Sequence, residues 1–223
     1  GEFAASLRAF RTMLGYELLV SARSGSEALG TTKLRVQPGA VPALRLRPSK
    51  VIAAPGDDLS WGVPSDELFG WWSDRIATTG TALYGRRLWQ TMNAHWPTAD
   101  QDPDASPADV QFAQRWRAMS KVVFSSTLTE VEGNARLVSG DAIAEISRLK
   151  EQDGPPMEIG GATLAGHAVR AGLVDEFVVA TVPVILGGGI PFLSVLERWV
   201  TLTLSEVRTF PGGVVLTRYE TVR

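Results

Sequence analysis

The apolar positions of the chain form short runs that alternate with helical patterns from about residue 44 onward. Short apolar or β-branched runs bounded by Pro, Gly or Asp are typical of strands. They predict strands over residues 51–54, 81–84, 121–124, 135–138, 157–159, 176–183, 200–210 and 214–219. The last two are joined by Pro211-Gly212-Gly213 and predict a hairpin.

Between these strands, apolar residues recur three or four positions apart, which is the period of an amphipathic helix. The helices are predicted to begin near Ser65, Gly85, Asp109, Ser139 and Gly160. Gly172 is placed to end the last of them. The Pro- and Asp-rich residues 97–109 predict a solvated loop.

Strands that alternate with helices of about ten residues require crossover connections, because parallel neighbours cannot be joined by a tight turn. The pattern therefore predicts an α/β fold with a mixed, mostly parallel sheet flanked by helices on both faces. The C-terminal hairpin adds an antiparallel part.

Composition removes several classes of protein. The chain has 223 residues, of which 44% are hydrophobic and 21% charged, and it contains no cysteine and only two histidines. These values exclude a disordered chain, a disulfide scaffold, a thiolate zinc site and a cysteine nucleophile. His95 and His167 lie in predicted helices, where structural roles are expected.

Charge divides the chain unevenly. Residues 1–50 carry eight Lys/Arg against three Asp/Glu, a net charge of +5, so the total of −2 leaves −7 on the remainder. We interpret residues 1–43 as an atypical basic extension, in which Gly1-Glu2-Phe3 resembles a cloning remnant, and residues 44–223 as one domain. No secretory signal or apolar run of membrane-spanning length is present, so a cytoplasmic protein without a membrane partner is expected.

Three predicted strand–helix corners have residues suited to an anion, because free N–H groups and the helix dipole meet there. The corners are Tyr84-Gly85-Arg86-Arg87, Val138-Ser139-Gly140-Asp141 and Ile159-Gly160-Gly161-Ala162-Thr163. Tight packing of glycine and surface ion pairs of arginine are the structural alternatives. Taken in order within one sheet, the corners favour a phosphorylated, dinucleotide-like ligand. Neither a G-x-G-x-x-G nor a G-x-x-x-x-G-K-[ST] motif is present.

An ordered set of motifs carries a family resemblance. It comprises Leu83-Tyr84-Gly85-Arg86-Arg87, Lys121-Val122-Val123-Phe124-Ser125-Ser126-Thr127-Leu128, Val138-Ser139-Gly140-Asp141, Ile159-Gly160-Gly161-Ala162-Thr163-Leu164, Gly172-Leu173-Val174-Asp175-Glu176 and Pro183-Val184-Ile185-Leu186-Gly187-Gly188-Gly189. From Ile52 to Tyr219 the chain resembles the dihydrofolate reductase-like superfamily, and within it the reductase domain of the riboflavin-biosynthesis deaminase-reductase and its stand-alone relatives. The resemblance implies NADPH as hydride donor and a homodimer.

Residue by residue, the resemblance assigns cofactor contacts to the same corners. Gly85 and Arg86 match the family's phosphate corner, followed here by Arg87. Ser125 and Ser126 match the turn near the adenosine, and Ser139 lies at the next corner. The glycine pair along the pyrophosphate is matched by Gly160, Gly161, Ala162 and Thr163.

The chain departs from the family pattern at two places. In the family a threonine follows Gly-Arg-x and contacts phosphate, whereas this chain has Leu88. The family's Ser-Leu-Asp-Gly-type turn beside the nicotinamide corresponds here to Arg47-Pro48-Ser49-Lys50. These departures put catalysis in question.

No catalytic residue is assigned from the sequence. Proton delivery near the reacting atom needs an acid or an ordered water, and the nearby acids Asp57, Asp58, Asp66 and Glu67 also fit turn and helix-cap roles. The tryptophans between Trp61 and Trp116 suit either a flat heterocycle or core packing.

Two functions follow as expectations. The first is an NADPH-dependent reductase that transfers a hydride to a small heterocyclic or carbonyl substrate. Examples of such a substrate are the ribosylaminopyrimidine of the riboflavin pathway and a folate. The alternative is a catalytically degenerate relative that binds a nucleotide or other ligand without turnover. A nucleic-acid partner is not expected, because the N-terminal basic residues are dispersed among apolar ones.

Overall fold

A computed structural model of the chain describes residues 51–56, 58–192, 196 and 199–223. The predictions on the first fifty residues lie outside this part, and so does Asp57. They include the domain boundary at residue 44 and the turn at Arg47-Pro48-Ser49-Lys50. Within the described residues, no helix combines the length and apolar character needed to cross a bilayer.

The elements of the described residues follow the predicted order. They are β1 (Val51–Ala53), α1 (Asp66–Thr78), β2 (Thr81–Gly85), α2 (Arg86–Asn93), α3 (Pro107–Ala118), β3 (Ser120–Phe124), β4 (Ala135–Val138), α4 (Ala142–Lys150), β5 (Met157–Gly160), α5 (Ala162–Arg170), β6 (Glu176–Thr181), β7 (Ile190–Pro191), β8 (Leu202–Phe210) and β9 (Val214–Thr221). Short 3₁₀ turns occur at Ser60–Gly62 and Ala99–Gln101.

Four of the strands form a parallel sheet in the order β4-β3-β2-β5. The central strand β2 has its three middle residues buried, and β3 is buried from Lys121 to Phe124. Burial on both faces is characteristic of a parallel sheet between helices. The predicted α/β fold class is therefore confirmed.

The C-terminal strands form a separate antiparallel sheet in the order β6-β9-β8. The predicted hairpin is confirmed, since β8 and β9 pair from Phe210↔Val214 outward. Among the described residues, β6 pairs only with β9 and β5 only with β2, so no ladder joins the two sheets. A short antiparallel pair of β1 with β7 completes the strands.

The helices cover the parallel sheet through two apolar clusters. The larger contains packed aromatic rings, with Phe112 stacked on Phe69 at 5.4 Å between ring centres and tilted against Trp96 at 4.3 Å. Trp96 lies after the end of α2 and is completely buried. The segment 97–109, predicted to be a solvated loop, buries Ala99 and Asp109, because its 3₁₀ turn and helix cap pack against this cluster.

An ion-pair network connects the two sheets through α1. Arg75 contacts Glu158 of β5 at 2.6 Å and Glu176 of β6 at 2.9 Å. Arg218 of β9 contacts the other oxygen of Glu176 at 2.5 Å. Burial alone would raise the pKa of Glu176, but the hydrogen bonds from Arg218 and Arg75 hold it below its ordinary value. The network thus keeps its central carboxylate ionised.

Candidate nucleotide-binding edge of the parallel sheet

The carboxyl ends of the parallel strands lie in register at one edge of the sheet. Gly85 pairs with Phe124, which also pairs with Val138, and Tyr84 pairs with Gly160. Every residue predicted to contact the cofactor lies at or directly after one of these ends: Gly85, Arg86, Arg87, Ser125, Ser126, Ser139, Gly160, Gly161, Ala162 and Thr163. The fold therefore brings the predicted set to a common edge.

The three predicted corners are not equivalent, because one helix start is already occupied. The Asp141 Oδ1 atom accepts hydrogen bonds from the N–H groups of Ile143 at 2.9 Å and Ala144 at 3.1 Å. This carboxylate satisfies the donors that an anion would use and neutralises the positive end of α4. The corner at Ser139 is thus closed to an anion at the backbone, and Ser139 itself is exposed beside it.

The helix starts at the ends of β2 and β5 are open. Their N-cap residues are Gly85 and Gly161, neither of which has a side chain to accept a hydrogen bond, and neither α2 nor α5 has an acid in its first turn. The remaining described α-helices, α1, α3 and α4, are each capped by a side chain. Because β2 and β5 are adjacent, two uncapped positive helix ends lie side by side.

Arginine side chains add charge at the first of these openings. Arg86 and Arg87 are exposed in the first turn of α2. The Arg86 Nη1 atom donates to Thr127 Oγ1 at 3.0 Å, which holds the guanidinium toward the end of β3. Exposed arginines beside free N–H groups are suited to bind phosphate in two-pronged geometry.

The turn after β3 is built by Ser125. Its Oγ atom accepts from the N–H groups of Thr127 at 3.2 Å and Leu128 at 3.0 Å. Ser125 therefore positions the Thr127 hydroxyl that receives Arg86, while Ser126 is exposed at the tip. Thr127 belongs to the quoted motif, but sequence reasoning did not select it. Its long-range contact with Arg86 is what identifies it.

Both glycines of the third corner have structural reasons to be glycine. A Cβ atom on Gly160 would lie 2.4 Å from Leu88 Cδ2, so Leu88 fills the space beside it. Gly161 has φ +90°, which L side chains rarely adopt. Packing therefore explains the glycine at position 160, and backbone conformation explains the glycine at position 161. The N–H groups of Ala162 and Thr163 lie in the first turn of α5, which has no side-chain cap.

Two of the four acids considered as proton donors, Asp58 and Glu67, have local partners. Asp58 accepts from the Ser60 N–H group at 2.8 Å, and this hydrogen bond lowers the pKa of Asp58. Glu67 in the first turn of α1 lies 3.5 Å from Arg208. These contacts account for both acids without catalysis, so a catalytic residue is not assigned.

The remaining titratable candidates lie away from this edge or are buried. His95 packs edge-on against Trp96 at 4.7 Å, and burial lowers its pKa. His167 is exposed in the last turn of α5, at the end opposite the opening. Burial also raises the pKa of Tyr84, whose ring lies in the aromatic cluster. Among the described residues, no group of three or more metal-ligating side chains occurs.

Comparison with known proteins places this architecture in a family. The model of the RibD C-terminal domain matches residues 51–216. Two uncharacterised proteins of Bacillus subtilis (strain 168) are similar in sequence. YyaP is 31% identical over 147 residues, 64% of this chain and 74% of the relative. YwjB is 34% identical over 80 residues, 35% of this chain and 46% of the relative.

Solved structures share the fold. A protein assigned to riboflavin biosynthesis from Shewanella sp. PV-4 superposes with a TM-score of 0.59 at 22% identity, over 78% of this chain and 94% of that protein. A diaminohydroxyphosphoribosylaminopyrimidine deaminase/5-amino-6-(5-phosphoribosylamino)uracil reductase from Thermotoga maritima gives 0.52 at 16% identity. It is covered over 53% of its length, against 77% of this chain. The resemblance stated from the motifs is confirmed.

Proposed function

Because the chain belongs to the RibD C-terminal domain family, we propose that it is an NADPH-dependent reductase of a small heterocyclic or carbonyl substrate. The observation that carries the proposal is the pair of uncapped helix starts at the adjacent ends of β2 and β5. Two anion sites side by side, with two arginines next to them, fit the pyrophosphate and the further phosphate of a dinucleotide better than a ligand with one phosphate group.

The residues present fit the cofactor's phosphates. The first-turn N–H groups of α2 and α5 would hold the pyrophosphate, and Arg86 and Arg87 would hold a further phosphate group. The Arg86–Thr127 hydrogen bond fixes one guanidinium before the ligand arrives, which reduces the ordering cost of binding. When bound, NADPH supplies the hydride, and the chain's part is to bind and orient.

A pyrimidine is the substrate class we favour. The family membership and the named activity of the Thermotoga maritima relative support this choice. Proteins that share one fold can act on different substrates, so an activity assay is needed to choose among the heterocycles. A homodimer, a cytoplasmic location and the absence of nucleic-acid and membrane partners also stay predictions.

The cofactor site is tested by titration. NADPH is added to the protein while its tryptophan fluorescence and heat of binding are recorded, and the Arg86→Gln variant is compared with Arg148→Gln. Arg148 is an equally charged, exposed residue in the last turn of α4, paired with Glu145. We expect Arg86→Gln to raise the Kd for NADPH about tenfold, the effect of one charge-assisted hydrogen bond, and Arg148→Gln to leave it unchanged. Equal effects of the two variants would refute the assignment.

Turnover separates the reductase from the degenerate alternative. The substrate panel contains 5-amino-6-(5-phosphoribosylamino)uracil, pterins and small carbonyl compounds, and the signal is NADPH oxidation followed by absorbance. Leu88, which replaces the hydroxyl of the family's threonine, is the observation that favours the alternative. NADPH binding without reduction of any substrate would support a binding protein, and no NADPH binding would overturn both functions.

A further inference from the structure

Helix α5 lies across both sheets. Its first turn packs on the parallel sheet, where Leu164 belongs to the same apolar cluster as Leu83 of β2. Its last turn packs on the antiparallel sheet, where Val169 belongs to the same apolar cluster as Val179 of β6. The tilt of α5, and with it the direction of its uncapped start at Gly161, therefore depends on how the two sheets are held relative to each other.

Helix α1 lies on the opposite face at the same place. Successive residues of a strand point to opposite faces of its sheet. On β6, Val178 belongs to the same apolar cluster as Leu68 of α1, whereas its neighbour Val179 faces α5. On β5, Ile159 belongs to the cluster that contains the start of α5, so its neighbour Glu158 points to the side of α1. Helices α1 and α5 thus cover opposite faces where the two sheets meet.

We propose that Arg75, in the last turn of α1, is a positioning residue for the anion site at the start of α5. This inference rests on the proposed cofactor site. The Arg75 Nε atom contacts Glu158 of β5 at 2.6 Å, and its Nη2 atom contacts Glu176 of β6 at 2.9 Å. Glu158 lies on the strand that leads into α5, and Glu176 is the first residue of the strand that follows α5. One guanidinium therefore joins the two strands that flank α5 in the chain.

The surroundings of Arg75 make this contact significant for the position of β5 and β6. Within the described part of the chain, no ladder joins these two strands. The side chains of Arg75, Glu158 and Glu176 are only about one quarter exposed, so water and salt screen them less than a surface pair. Arg218 of β9 holds the other oxygen of Glu176 at 2.5 Å, which anchors the glutamate to the antiparallel sheet. The partners of Arg75 are these glutamates, so its effect on a ligand is transmitted through the strands and α5.

The test compares two arginine variants, Arg75→Gln and Arg115→Gln. Arg115 is a matched control, because its side chain is 26% exposed against 25% for Arg75, and its partners Ser73 and Asp74 both lie on α1. We expect Arg75→Gln to raise the Kd for NADPH about fivefold, as mutations that act on a site through intervening elements do. Arg115→Gln should leave the Kd within about twofold of the wild type. Thermal unfolding of each variant separates a loss of stability from a loss of affinity.

A second variant tests whether Arg75 acts through the strand that leads into α5. Glu158→Gln removes the partner on β5 and keeps the pairs of Glu176 with Arg75 and Arg218. It should raise the Kd for NADPH by a factor similar to that of Arg75→Gln. The double variant should bind no more weakly than Arg75→Gln alone, because the same contact is lost in both. A merely structural loss at two independent positions would add instead.

Hydrogen exchange tests the position of α5 without any ligand. Amide exchange in α5 is compared with exchange in α4, which serves as an internal reference in each variant. Arg75→Gln should speed exchange in α5 relative to α4, because the strands on either side of α5 lose their common contact. Arg115→Gln should change neither helix relative to the other.

The outcomes separate this inference from the proposed function. Equal Kd values for Arg75→Gln and Arg115→Gln, additive effects of Arg75→Gln and Glu158→Gln, or an unchanged relative exchange of α5 would each overturn it. If Arg86→Gln weakens NADPH binding and Arg75→Gln does not, the cofactor site stands and the role of Arg75 falls. If the wild type binds no NADPH, the proposed function falls, and the exchange measurement still decides whether Arg75 fixes α5.

Discussion

The contact between Gly160 and Leu88 separates two explanations of the glycine pair. Gly160 ends β5, and Leu88 lies in the first turn of α2. If Gly160 is glycine because Leu88 occupies its side-chain space, then Gly160→Ala should destabilise the fold, and removal of the Leu88 side chain should reverse that effect. If Gly160 is glycine for ligand approach, removal of the Leu88 side chain should not change the stability cost of Gly160→Ala.

The geometry gives the size of the effect. An added Cβ would lie 2.4 Å from Leu88 Cδ2, at least 1 Å closer than an ordinary contact of 3.4 Å or more. Ring atoms of Tyr84 lie 3.7 Å from the same position, an ordinary contact, so the atom that must move is the terminal methyl of the flexible Leu88 side chain. Overpacking costs about 1–3 kcal/mol of unfolding free energy, and a methyl group that can rotate away places Gly160→Ala at the lower end, about 1 kcal/mol. Leu88→Ala, at a partly buried position, should cost about 1–2 kcal/mol, below the range for a fully buried leucine.

The assay is urea unfolding of the two single variants and the double variant, followed by tryptophan fluorescence. We expect the double variant to be about as stable as Leu88→Ala alone, which is a coupling of about 1 kcal/mol. Gly161→Ala is the control, because its cost comes from φ +90° and Leu88→Ala should not relieve it. Additive costs for Gly160→Ala and Leu88→Ala would refute the packing explanation.

Two further predictions concern stability and the choice of corner. Burial lowers the pKa of Lys121 to about 8 from 10.5. Between these two pH values the unfolded chain binds more protons than the folded chain. The free energy of unfolding therefore rises with pH over this range, by about 3 kcal/mol in total. Lys121→Met should be more stable than the wild type below pH 8, and its free energy of unfolding, measured by denaturant titration, should not rise between pH 8 and 10.5. If the variant and the wild type show parallel pH profiles, the prediction is wrong. Asp141→Ala should cost about 1 kcal/mol through loss of the α4 cap but leave the Kd for NADPH unchanged, and a tenfold weaker Kd would show that this corner contributes to binding.

The order of elements was predictable because it depends on local sequence. Helix periodicity and the turn residues of each corner set the element boundaries to within a few residues, as at Ser65, which caps α1. Parallel strands send their carboxyl ends to the same edge, so residues that follow apolar runs had to meet. For this reason the predicted cofactor residues lie together even though they are far apart in the chain.

Contacts between distant segments were not predictable. The sequence places Lys121 at the start of a predicted strand. The fold buries it, with its ammonium 4.2 Å from the ring centre of Trp116 and donating to the Met119 carbonyl at 2.7 Å. Thr127 gains its partner Arg86 from across the sheet. Neither pair follows from periodicity, because each depends on which strands become neighbours.

The corner at Asp141 fits the rule that places an anion site between a strand and a helix, but its helix start is already occupied. An aspartate just before a helix is a standard cap, and the same carboxylate that starts α4 removes that helix end as an anion site. Gly85 and Gly161 cannot cap, so α2 and α5 depend on an external acceptor for their first N–H groups. The uncapped starts belong to adjacent strands and stand beside Arg86. The unsatisfied N–H groups are therefore concentrated at the ends of β2 and β5, where the pyrophosphate of the proposed cofactor would supply the acceptor.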